Sequence, residues 1–178
     1  MDQRWEPGWT AHEVGLWVLL CYRVPREPSA PRIAVWRKLK RLGAGQLGDG
    51  LVALPADART REQLEWVAEE VTKAGGSAGV WLARPATVVQ ERELAAVMAA
   101  SRAAEYTALI AEAEAALGAQ AAARAAALRR LRGELRRITR RDYFPPPVRD
   151  QARAAVEALA APGPEDVPAA PAAGRELP

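Results

Sequence analysis

The stretch that decides the fold is GLWVLLCYRV at residues 15–24. It is nearly continuous in apolar character and carries β-branched and aromatic members, the pattern of a strand buried on both faces at the centre of a sheet. Pro25 and Pro28 end it, because proline lacks the amide that a ladder needs.

Working outward, Ser29 is expected to cap a helix with Pro31 in its first turn. Val35, Trp36, Leu39 and Leu42 then fall on one side and Arg37, Lys38, Lys40 and Arg41 on the other. Gly43 stops this helix. Residues 46–55 hold two short strands pinched at Gly48-Asp49-Gly50, a hairpin signal. Thr60-Arg61-Glu62-Gln63 is expected to be a capping box opening a second helix, with Leu64, Val67 and Val71 at helical spacing. Gly75 and Gly76 close it, and residues 77–83 read as a last strand carrying Val80 and Trp81. The order β-α-β-β-α-β within residues 14–85 is the ferredoxin-like arrangement, an α+β fold with two helices on one face of an antiparallel sheet. Trp36 and Trp66, one per helix, are expected in its core.

Residues 86–161 are helical in pattern and predict a helical arm or hairpin. The first helix runs from Val88 to Leu117, and Gly118 breaks the pattern. Leu128, Leu131, Leu135 and Ile138 then form a short heptad-like seam, too brief for a self-sufficient coiled coil and expected to fold back on the Val88–Leu117 helix. Pro145, Pro146 and Pro147 interrupt the chain before a last helix. Residues 1–13 are expected to be a flexible arm and residues 162–178, rich in proline and alanine, a disordered tail.

The single cysteine, Cys21, excludes a disulfide framework and multi-thiolate metal sites, and inside an apolar run it is expected to be a buried small hydrophobe. His12 is the only histidine, so no multi-histidine metal site or convincing catalytic triad is available. No signal-peptide pattern opens the chain, and the run from Val14 to Tyr22 is about half a membrane span. A cytoplasmic protein without membrane, metal or cofactor is the expectation. The net charge of +3 says little. Between Ala119 and Arg153, however, ten arginines face three acids, an excess suited to polyanions or an acidic partner.

Several stretches together resemble a known family. They are WVLLCYRVPREPS at 17–29, RIAVWRKLKRLG at 32–43, Leu54-Pro55, LEWVAEE at 64–70 with AGG at 74–76, AEYT at 104–107 and ITRRDYF at 138–144. Over roughly residues 14–160 the chain resembles the N-terminal domain of ChrB, the chromate-resistance transcriptional regulator. The resemblance implies regulation of chromate-resistance genes, with DNA as target and the oxyanion chromate as signal. ChrB proteins carry a further C-terminal domain, where this chain is expected to end in a disordered tail. A separately encoded ChrB C-terminal domain is therefore an expected partner, beside a second copy in a homodimer.

Two surfaces are candidates. Arg23, Arg26 and Arg32 flank the start of the first helix at Ser29, where free amides, the helix dipole and guanidinium forks favour a tetrahedral oxyanion. Arg37, Lys38, Lys40 and Arg41, with Arg136, Arg137, Arg140 and Arg141, are candidates for DNA phosphate contact. The alternative is an interaction module whose basic helical arm docks an acidic protein partner. Metal-dependent nucleases of ferredoxin-like fold need an aspartate at the end of the first strand, and LCYRV at residues 20–24 has none. Asp49 and Asp57 read as turn formers. No phosphate-cradling glycine loop is present, because Gly43-Ala-Gly45 lacks the spacing and the lysine. No catalytic residue is assigned and the chain is not expected to be an enzyme.

Overall fold

The computed structural model describes residues 15–161. The expected arm with Trp5, Trp9 and His12, and the expected tail, lie outside the described residues. In chain order the elements are β1 (Trp17–Arg23), α1 (Ser29–Leu42), β2 (Gly45–Gly48), β3 (Leu51–Pro55), α2 (Ala58–Lys73), β4 (Ser77–Ala83), α3 (Val88–Leu117), α4 (Ala121–Thr139) and α5 (Val148–Ala158). The fold is mixed α+β, with one four-stranded sheet in the order β2-β3-β1-β4 and every neighbouring pair antiparallel.

The chain divides into two compact units. One runs to Ser101 and takes in Arg141–Pro145; the other comprises Arg102–Arg140 and the chain from Pro146.

In the first unit β1 is central, as its apolar run predicts, and its register against β3 sorts the side chains by face. Val18 and Leu20 stand beside Leu54 and Val52 and share a core with Val35 and Leu39 of α1 and Leu64, Val67 and Val71 of α2. On the other face Gly45 leaves no room for a side chain beneath Leu94 and Met98 of α3. Trp17 lies there too, where its indole Nε1 and the Gly15 amide both donate to Glu91 at 3.1 and 2.7 Å. Both faces are thus covered at the Trp17 end of the sheet. Cys21 lies beyond that cover and is exposed, not the buried hydrophobe that its apolar neighbours suggested.

Two further expectations are corrected. Trp36 and Trp66 are each 53% exposed. The buried stripe of α1 is the Val35–Leu39 pair and that of α2 is Thr60, Leu64, Val67 and Val71, so either tryptophan sits about 100° round its helix from a buried neighbour. The caps differ as well. Residue Pro28, in extended conformation, precedes α1 and supplies no side-chain cap; Ser29 is already helical. At α2 the box is built by Asp57: its carboxylate accepts from the Thr60 amide at 2.6 Å, while the Thr60 hydroxyl accepts from the Asp57 amide at 2.9 Å. Thr60 is therefore the third helical residue of the box rather than its start.

The second unit has its own core. Tyr106, Leu109 and Ala113 of α3 meet Leu131 and Ile138 of α4 and Ala152 and Val156 of α5. Tyr106 lies 3.5 Å from the Thr139 hydroxyl, and Glu112 pairs with Arg130 at 2.6 Å, so α4 runs back antiparallel along α3. The leucine seam turns inward as expected. By length and composition α3 is also apolar enough to cross a bilayer, a property of its alanine content that an uninterrupted-run criterion passes over.

Candidate functional site

In the first unit a cleft of about 580 Å³ opens between the end of β1, α1 and the β2–β3 turn. Arg23, Arg32, Tyr22, Trp36 and Asp49 are among its lining residues. Arg23 and Arg32 come from the anion set predicted from sequence. Arg26 and Ser29 are exposed and do not line the cleft. Among the described residues, Arg23, Arg26 and Arg32 form no ion pair.

Tyr22, Trp36 and Asp49 are lining residues that sequence reasoning did not assign to a site. Their signal was the hairpin itself: Tyr22 donates its amide to the Gly50 carbonyl at 2.7 Å, which brings the β2–β3 turn against the end of β1. Burial, reinforced by the Asp49 carboxylate, raises the pKa of the Tyr22 phenol, so the cleft holds a protonated hydroxyl across the physiological range. The cleft thus offers two guanidinium groups, a phenolic donor and an indole face, with one carboxylate opposing an anion.

The basic face of α1 is less uniform than its sequence. Lys38 pairs with Glu70 of α2 and is partly covered. Lys40 lies over the Trp36 ring, with Nζ 5.8 Å from the centroid, a cation–π contact. Arg37 and Arg41 are exposed, and among the described residues neither has an acidic partner. The end of α1 is closed by the segment after α4: Arg141 donates to the Lys40 carbonyl at 3.2 Å and Tyr143 to the Leu42 carbonyl at 3.2 Å. The Tyr143 bond satisfies a carbonyl at the helix terminus, Arg141 adds a second donor to a Lys40 carbonyl that also accepts from the Gly43 amide at 3.1 Å, and a guanidinium there suits the dipole. Arg141 therefore serves α1 structurally.

On α4, Arg137 pairs with Glu134 one turn away, Arg130 with Glu112 and Arg132 with Glu157 of α5. Arg129, Arg136 and Arg140 remain exposed, at spacings of seven and four that place them on one stripe. Among the described residues no group of three or more His, Cys, Asp and Glu side chains is placed to hold a metal ion.

An antiparallel α+β domain with a basic, aromatic-bearing helix beside an arginine-lined cleft is the class of protein that these features define. The family described as Protein ChrB, N-terminal, matches residues 32–163, and the chain belongs to it. Membership associates the chain with chromate resistance. The match begins in the first turn of α1, at Arg32, and takes in everything described after it. No curated protein and no solved structure matches the chain.

Proposed function

We propose that the chain is a chromate-responsive transcriptional regulator, or the N-terminal half of one, that contacts DNA through the outer face of α1. The observation that carries this reading is the exposure of Arg37 and Arg41, which have no acidic partner among the described residues, beside Arg32 and the Trp36–Lys40 stack. Cations already satisfied by acids gain little from a phosphate, whereas these release counterions on binding. Lys38 and Arg137, each paired with a glutamate, contribute less. Arg136 and Arg140 supply a second, independent patch.

The strand order supports a ferredoxin-like arrangement for the sheet and its two helices. The cleft of Arg23 and Arg32 is the site offered to a tetrahedral oxyanion, with Tyr22 as hydroxyl donor. Chromate there sits beside Trp36, which makes indole fluorescence a direct reporter. The reading is non-enzymatic and cytoplasmic, and a separately encoded ChrB C-terminal domain is a fitting partner.

The test is fluorescence anisotropy with duplex DNA from the region upstream of its own gene, across a salt series. Each lost phosphate contact lowers the slope of log K against log salt by about 0.9. Arg37→Ala with Arg41→Ala should lower it by about two such steps, and Arg23→Ala with Arg32→Ala should remove the chromate effect on Trp36 emission. An unchanged slope would remove α1 as the contact. If binding persists only toward acidic proteins, the interaction-module reading replaces this one.

A further inference from the structure

The two edges of the sheet are built differently. Strand β2 is four residues long, begins and ends in glycine, and shifts register between Gln46 and Gly48, devices that blunt an edge against further pairing. Strand β4 has none of them. It spans seven residues, SAGVWLA, without charge, proline or bulge, and among the described residues it pairs with β1 alone. Trp81 and Leu82, on opposite faces of this edge, are 63% and 53% exposed.

The register shows which backbone groups face outward. Tyr22 points its amide at Gly50 on the β3 side, so Cys21 and Leu19 point theirs at β4. Their register partners Gly79 and Trp81 are consumed by that ladder. Ala78, Val80 and Leu82 therefore direct amide and carbonyl groups to the open edge.

We propose that β4 is a self-association edge, at which two copies of this chain pair Ser77–Ala83 antiparallel about a twofold axis at Val80. The strand is complementary to its own reverse. On one face Trp81 of each copy falls opposite Gly79 of the other, an aromatic covering a glycine. On the opposite face Leu82 falls opposite Ala78, and Val80 meets its own symmetry mate. Large side chains meet small ones in the Trp81–Gly79 and Leu82–Ala78 pairs, two like-sized valines meet on the axis, and no charge faces a like charge. A different protein strand would need that size pattern by coincidence; a second copy has it by symmetry. In the isolated chain the Trp81 indole lies over its own Gly79, beside the position that the partner's glycine takes.

The experiment uses the full chain. Light scattering after size exclusion, at tens of micromolar, should give twice the 19.2 kDa chain mass. Trp81→Lys and Leu82→Lys change exposed side chains, so each should keep the circular dichroism spectrum and thermal midpoint while shifting the mass to monomer. In a Cys21→Ser background, Val80→Cys places two thiols across the axis. There Cα atoms are about 5.5 Å apart in a hydrogen-bonded pair, within disulfide reach, and mild oxidation should cross-link most of the protein. A monomeric wild-type chain, a dimer indifferent to both lysine variants, or no cross-link through Val80→Cys overturns the assignment. None of these outcomes depends on DNA binding, so this inference and the regulator reading fail separately.

Discussion

Trp17 and Phe144 stack with ring centroids 5.8 Å apart and planes inclined by 24°, joining the first strand to the segment that follows α4. The same segment ties the end of α1 through Tyr143. A short piece of chain far from the sheet in sequence thereby completes the core of the first unit.

Replacing Phe144 by Ala should therefore destabilise the first unit by about 2 kcal/mol, less than for a fully buried phenylalanine because Phe144 is only half-buried. Urea unfolding followed by tryptophan emission measures it. Equal stability of variant and wild type would show that the stack is incidental.

Asp57→Ala should cost about 1 kcal/mol, the usual worth of an N-cap side chain. Thr60→Val should cost more, since the fully buried hydroxyl also donates to the Pro55 carbonyl at 2.6 Å. The two losses should fall short of additive, because each variant breaks the same reciprocal box. A double-mutant cycle in urea measures the coupling.

Gly50 and Gly75 both hold positive φ, at 72° and 78°. A Cβ on Gly50 would strike the Tyr22 carbonyl, whereas one on Gly75 would meet nothing within 4 Å. Gly75→Ala should thus cost only the left-handed conformation, about 1 kcal/mol. Gly50→Ala should cost clearly more and loosen the β2–β3 turn. Thermal denaturation of the pair checks the ranking.

Tyr22 has a folded pKa raised above its ordinary value of 10.0, first by burial and then by Asp49. Stability linked to this group is fully present below pH 10 and is lost as pH rises through the folded pKa. Tyr22→Phe should flatten that alkaline decline, and Asp49→Asn should move the phenol titration toward its ordinary range. Phenolate absorbance and urea midpoints at rising pH test both. Glu157 is the opposite case: its hydrogen bond to Arg132 lowers its pKa, so the link from α4 to α5 is present above the ordinary carboxylate range and is lost on acidification. Both groups are exposed, so salt should weaken that dependence.

The order and type of every described element were legible in the chain. Hydrophobic period and glycine or proline punctuation act over a few residues, and they predicted β1 at the sheet centre, the hairpin at Gly48–Gly50, the stop at Gly43 and the inward leucine seam of α4. Tertiary structure decided what depends on distant neighbours. Whether Trp36, Trp66 and Cys21 are buried depends on which helix covers which part of a face, and no local pattern encodes that. Whether a cation is free depends on where an acid from another element stands: Glu70 meets Lys38, while among the described residues no acid meets Arg37 or Arg41. Arg23 and Arg32 share a cleft only because the hairpin turn returns to Tyr22, while Arg26 and Ser29, adjacent in sequence, do not line it. Local propensity wrote the elements of this protein, and long-range packing selected which of its charges and aromatics remain available to a ligand.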